Sequence, residues 1–290
     1  MLGAMDHVRF VETPTADHPP VVCAFRGWND GGEAASLALR YLRERWGGRT
    51  FAQVDPEEFF DFQVSRPTVR LRDGVTRVIE WPECDFSRAT VDGRGVVLFS
   101  SSEPNNRWRT FARTVVDVAG SLGSGLLVTL GAFLTDVPHT RPVPVVGSAA
   151  DEDTAERLGL RRSQYEGPTG IVGVLHDASI QSGLPSVSLW AAVPHYLPSS
   201  PNPKAALALV DRACALLGVG VDTSSLQNAA ATWERSVARL LAESEELTEY
   251  VSRLEAASEE DASELKPEDP VSGEALAAEL ERFLREQDGG

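Results

Sequence analysis

Residues 21–46 read Val-Val-Cys-Ala-Phe-Arg-Gly-Trp-Asn-Asp-Gly-Gly-Glu-Ala-Ala-Ser-Leu-Ala-Leu-Arg-Tyr-Leu-Arg-Glu-Arg-Trp. The apolar run Val21 to Phe25 is short enough for a buried strand, the glycines from Gly27 to Gly32 end it, and helical spacing of apolar residues follows from Gly32 to Trp46. A strand, a polar turn and a helix in that order make the unit of an α/β fold, and the chain repeats it. Gly95 to Ser100 reads as a strand, and Arg107 to Leu122 as a helix with Phe111, Val115, Val118 and Leu122 on one side. Leu126 to Gly131, Val143 to Gly147 and Val187 to Val193 read as further strands, and Val172 to Ile180 and Lys204 to Leu217 as further helices. Between the first two units, Thr68 to Arg72 and Val75 to Glu80 flank Asp73-Gly74, a two-residue hairpin signal. The expected result is a mixed, mostly parallel sheet with an antiparallel excursion and helices on both faces.

After Gly220 the pattern changes. Leu226, Ala230, Trp233, Val237, Leu240, Ser244, Leu247, Val251 and Leu254 fall on alternating steps of four and three, the spacing of a helix with a narrow apolar seam. The polar stretch Ala256 to Pro270 is expected to break that helix, and Leu276, Leu280, Phe283 and Leu284 mark a second, shorter amphipathic one. Residues 1–222 thus read as an α/β core domain and 223–290 as an acidic helical extension. The net charge of −16 is concentrated there, since Trp233 to Gly290 holds 17 acidic and 6 basic residues. A chain with no basic face is a poor nucleic-acid ligand, because binding requires cations that displace counterions from phosphates.

Other classes are excluded by missing patterns. The only lysines, Lys204 and Lys266, follow Pro203 and Leu265, so there is no Walker A loop, and no G-x-S-x-G elbow appears. His7, His18, His139, His176 and His195 form no H-x-x-x-H pair, and Cys23, Cys84 and Cys214 form no C-x-x-C, so neither a metal site nor a disulfide frame is expected. No cofactor is indicated. Met1 to Pro20 lacks a signal-peptide core, and no run approaches the ~20 apolar residues of a membrane span, so a cytoplasmic protein without a membrane partner is expected.

Candidate site residues lie in the turns that follow strands. Asn29 and Asp30 sit in the first, where Asp30 with Glu33 also fits a capping box. Glu103 sits in Ser100-Ser101-Ser102-Glu103-Pro104-Asn105-Asn106, Arg141 beyond the third strand, and His195-Tyr196 beyond the last. Parallel strands would place all four turns at one carboxyl edge, where open α/β sheets hold their ligand crevices. There Glu103, Arg141 and His195 would supply either acid/base chemistry or a structural network. Glu166 belongs to Tyr165-Glu166-Gly167-Pro168-Thr169-Gly170, in which Thr169 fits a helix N-cap.

Taken in order, Gly27-Trp28-Asn29-Asp30-Gly31-Gly32, Ser102-Glu103-Pro104 with Trp108, Thr140-Arg141-Pro142, Tyr165 to Gly170, Ser188-Leu189-Trp190-Ala191 with Pro194-His195-Tyr196, and Pro201-Asn202-Pro203-Lys204-Ala205-Ala206 resemble a bacterial, actinobacterial branch of the proteasome assembly chaperone type (PAC) family. The resemblance spans about residues 20 to 220. It implies a three-layer αβα sandwich of the phosphorylase/hydrolase-like kind and a cytosolic homo-oligomer, trimer or larger. It also implies a binding or assembly role, with the proteasome or another protein assembly as partner. Some archaeal relatives bind proteasome cores through a C-terminal hydrophobic-Tyr-X tail; Arg285 to Gly290 lacks it, so docking by that route is not expected. The family establishes no catalytic residues for its bacterial members. A small-molecule enzyme of nucleoside phosphorylase or hydrolase type, using the crevice at the strand ends, is the alternative.

Overall fold

The computed structural model describes residues 5–12, 17–163, 165–197 and 201–264. In chain order the elements are β1 (Val8–Phe10), β2 (Val21–Arg26), a 3-10 turn (Gly31–Glu33), α1 (Ala34–Arg45), β3 (Arg49–Val54), a second 3-10 turn (Pro56–Glu58), β4 (Thr68–Arg72), β5 (Thr76–Glu80), β6 (Cys84–Val91), β7 (Arg94–Ser102), α2 (Trp108–Ser121), β8 (Leu127–Thr135), β9 (Val145–Ala149), α3 (Glu152–Leu158), β10 (Arg161–Arg162), α4 (Ile171–Gln181), β11 (Ser186–Pro194), α5 (Pro203–Leu217), α6 (Ser224–Leu241) and α7 (Glu245–Glu264). Among the described residues, nine strands form one sheet in the order β1-β3-β6-β7-β2-β8-β11-β9-β10, and β4 pairs only with β5.

The four central strands β7, β2, β8 and β11 are mutually parallel, with Arg26 opposite Ser102 and Thr135 opposite Pro194. Their last residues therefore line up along one edge. Such strands are buried on both faces, which is why they read as continuous apolar runs. Alternate residues go to opposite layers. Val21, Cys23 and Phe25 pack with α2 and α4, whereas Val22 and Ala24 pack with α1 and α5. The two layers differ in kind. The first is built around Phe25, Phe51, Phe59, Phe86, Phe99, Phe111 and Phe133; the second has no buried phenylalanine and seats its helices through Ala34, Ala35, Ala38, Ala205, Ala206 and Ala213.

The extension departs from its expected geometry. Residues Leu226, Ala230, Trp233 and Val237 of α6 are buried, but Leu240 is 62% exposed and Leu247 38% exposed, and Leu241 is buried in their place. The cause is a break at 242–244, where the Ser244 Oγ accepts from the Leu247 amide at 3.3 Å and starts α7 in a new phase. The break thus comes earlier than Ala256, and α7 continues to Glu264. Trp233, Val237, Leu241 and Val251 form a small cluster with Tyr196 and Leu197. The expected helix around Leu276, Leu280, Phe283 and Leu284 lies outside the described residues. No helix among the described residues is long and apolar enough to cross a membrane.

Candidate functional site at the carboxyl edge of the sheet

All four turns singled out in the sequence leave the same edge of the parallel strands, and two separate polar clusters form there. The first surrounds β2. Gly27 has φ +138, a conformation that favours glycine, and a Cβ there would lie 3.2 Å from the Glu103 Cβ. Asn29 and Asp30 are buried; the Asn29 carbonyl accepts from the Ala132 amide at 2.9 Å, and its Nδ2 donates to the Phe25 carbonyl at 3.1 Å. The Asp30 Oδ1 accepts from the amides of Ala35 (2.8 Å) and Ser36 (3.2 Å). This is not the expected box with Glu33. Gly32 and Glu33 take left-handed φ of 58 and 51, so a 3-10 turn is inserted and the acid caps the helix five and six residues on. Burial raises the Asp30 pKa against the opposing effect of its Ser36 and Ala35 hydrogen bonds.

Glu103 continues this cluster. Its Oε1 accepts from the Ile171 amide at 2.8 Å, the first residue of α4. The Trp28 amide is a second donor, and burial raises the pKa in spite of both. The helix N-terminus is therefore satisfied by a carboxylate 68 residues away in sequence, rather than by Thr169, whose hydroxyl donates to the Gly170 carbonyl. Gly170 makes room for that contact, since a Cβ would fall 2.8 Å from the Glu103 Oε1 and 3.3 Å from the Trp28 ring.

The second cluster lies beyond β8 and β11. His195 Nδ1 is 2.9 Å from the Asp136 Oδ1, which also accepts from the Tyr250 hydroxyl at 3.0 Å. Tyr196 Oη accepts from the His139 amide and pairs with the His139 Nδ1, both at 2.9 Å. His195, Tyr196 and Tyr250 stand edge to face, with centroids 5.5 to 5.9 Å apart. Burial, followed by the nearby Lys204 charge, lowers the His139 pKa; burial and the Asp136 contact push Tyr250 up to about 12. Lys204 Nζ donates to the His139 carbonyl at 2.7 Å and pairs with Glu234 at 2.5 Å, and Thr140 donates to Glu255, so α6 and α7 are both tied to this edge.

Glu103 and His195 therefore belong to different clusters, and Arg141 is exposed. Glu166 is exposed in the loop before α4. Tyr250 carried no sequence signal, because it lies 114 residues from Asp136 and precedes a seam position without belonging to it. Next to the second cluster, His139, Asn202, Lys204 and Trp233 help line a cavity of about 10 Å³, room for about one water molecule. A larger cavity of about 470 Å³ lies between α1 and β7, lined by Arg26, Ser36, Arg40, Arg43 and Ser100, and neither Glu103 nor His195 lines it. Among the described residues no cluster of three or more His, Cys, Asp or Glu side chains is placed to hold a metal ion.

Known proteins share this fold. A PAC2 family protein from Streptomyces avermitilis is 47% identical, with a TM-score of 0.75 over 80% of this chain and 99% of that one. The Mycobacterium tuberculosis proteasome-assembly chaperone homologue Rv2125 is 46% identical, with a TM-score of 0.72 over 80% of this chain and 99% of its own. Pyrococcus furiosus PbaB, an archaeal proteasome activator, shares the fold at 17% identity, with a TM-score of 0.67 over 80% of this chain and 97% of that one. The PAC2 family model matches residues 24–241, three quarters of the length including both clusters up to Glu234, and the chain accordingly belongs to the PAC2 family.

Proposed function

We propose that this protein is a cytoplasmic, homo-oligomeric assembly factor that binds other proteins, with a proteasome or a comparable multisubunit particle as its client, and that it does not turn over a small substrate at the carboxyl edge. The observation that carries this reading is the engagement of the edge's acid and base groups. Asp30 and Glu103 hold the first amides of α1 and α4, Tyr196 holds the His139 backbone, and Asp136 holds His195 and Tyr250. A general base must reach a substrate proton, and groups fixed in this way serve the shape of the surface instead. The relation to the mycobacterial assembly-chaperone homologue supports the same reading. The α/β body to residue 222 supplies the scaffold, and the extension from residue 223 supplies an acidic surface for contact.

Affinity capture of the tagged full chain from native lysate, with bound chains identified by mass spectrometry, tests the proposal. Subunits of a proteasome or of another defined large particle are the expected result. Recovery of the protein alone under mild conditions, together with a thermal shift on adding a nucleoside or phosphate, would overturn it in favour of an enzyme; a ligand at 100 times its Kd adds about 2.7 kcal/mol to stability.

A further inference from the structure

The β4–β5 hairpin is a two-stranded sheet outside both core layers. Val69 faces Ile79 and Leu71 faces Arg77 across it, so these four share one face, while Thr68, Arg70, Arg72, Thr76, Val78 and Glu80 share the other. The first face is exposed along the strands: Val69 is 49%, Leu71 59% and Ile79 55% exposed, with Val75 at 81% in the turn, and the row ends at Trp81, 53% exposed, whose ring packs on Phe62 at 4.9 Å. An isolated hairpin is marginal in water unless a further strand or a packed surface covers its apolar side. A contiguous exposed apolar patch of this kind marks a contact site. Its charge is also distinctive. Segment 64–81 carries four arginines against two acids, and with Arg70 paired to Glu80, Arg66, Arg72 and Arg77 have no ion pair among the described residues.

The complementary surface is on the same molecule. At the corner between α6 and α7, Leu240 and Leu247 are exposed, and residues 240–249 hold Glu243, Glu245, Glu246 and Glu249 with no basic residue. Two apolar side chains in an acidic rim match an apolar hairpin face that carries the Arg77 guanidinium, by hydrophobic contact and by charge.

We propose that the hairpin of each copy docks on the α6–α7 corner of the next. The two surfaces differ, so the contact is head to tail, and a head-to-tail contact between identical chains closes into a ring when its rotation permits. This inference rests on the self-association proposed above and assigns its interface.

Native mass spectrometry and sedimentation of the full chain test it. The wild type is expected as a closed ring of three or more copies. The pair Leu71→Asp with Ile79→Asp, both on exposed positions, and the single change Arg77→Glu should each weaken the ring roughly tenfold or more, a loss of about 1.4 kcal/mol, without changing the circular dichroism spectrum. Adding Glu245→Arg and Glu246→Arg to Arg77→Glu should restore assembly. A wild type that stays monomeric overturns both the interface and the self-association. A ring unaffected by the hairpin variants overturns the interface alone, and failure of the swapped charges to restore a weakened ring overturns the corner as its partner.

Discussion

At Glu103 a carboxylate is held where two amides favour its charge and burial opposes it, and burial prevails. A carboxyl whose pKa is higher in the folded chain than in the unfolded one binds more protons when folded, so its contribution to stability falls as pH rises through that interval. Glu103→Gln keeps an oxygen for the Ile171 amide and removes the buried charge. The variant should match the wild type in acid and become the more stable of the two as pH rises from the ordinary glutamate range through the raised Glu103 pKa, measured by urea unfolding at several pH values. A wild type that gains relative to the variant as pH rises would contradict it. The partners of such residues were only partly legible. Asp30 was recognisable as a cap from its place before a helical run, but the 3-10 turn that moves its target from Glu33 to Ala35 depends on a left-handed glutamate, which residue type argues against. The Glu103 contact with α4 is long-range, and no local pattern announces it.

Elements were legible where burial made them uniform. β2, β7, β8 and β11 are covered on both faces and stand out as apolar runs. β3 and β6 do not: a bulge between Thr50 and Ala52 interrupts the alternation of β3, and the α1-side face changes along β6 from polar at Asp85 and Ser87 to apolar at Ala89 and Val91. The seam of the extension is legible to Val237, fails at Leu240 and Leu247 and returns at Val251, because heptad spacing carries no mark of a break that needs only one well-placed serine. Trp233 tests what attaches this element. It packs against Tyr196 and Leu197 in a cluster apart from the two main layers. Trp233→Ala should cost about 3 kcal/mol locally. Hydrogen exchange should then accelerate in α6 and α7 while β2 and β8 stay protected; equal acceleration throughout would mean that the extension and the sheet open as one unit.

Over the whole molecule, Cys23, Cys84 and Cys214 are distributed across both layers and all are buried. Burial pushes the Cys23 and Cys84 thiols far above their ordinary range and Cys214 up to about 11. Only a thiolate reacts readily with disulfide reagents, so the native chain should be nearly inert to them near neutral pH. Cys214 should label first, and Cys23 and Cys84 only at the rate of global opening, as read by mass spectrometry of timed quenches. Early labelling of Cys84 would show that the β6 side opens independently.

The unequal make-up of the two layers also sets the direction in which this chain can drift. On the phenylalanine side harm comes from subtraction, since each ring removed leaves a void worth about 3 to 5 kcal/mol. On the alanine side it comes from addition, where an extra methylene forces α1 or α5 off the strands at about 1 to 3 kcal/mol. Descendants of this sequence are therefore free to shrink almost nothing on one face and to enlarge almost nothing on the other. Novelty is left to the rim, where the turns, the hairpin and the acidic corner are found.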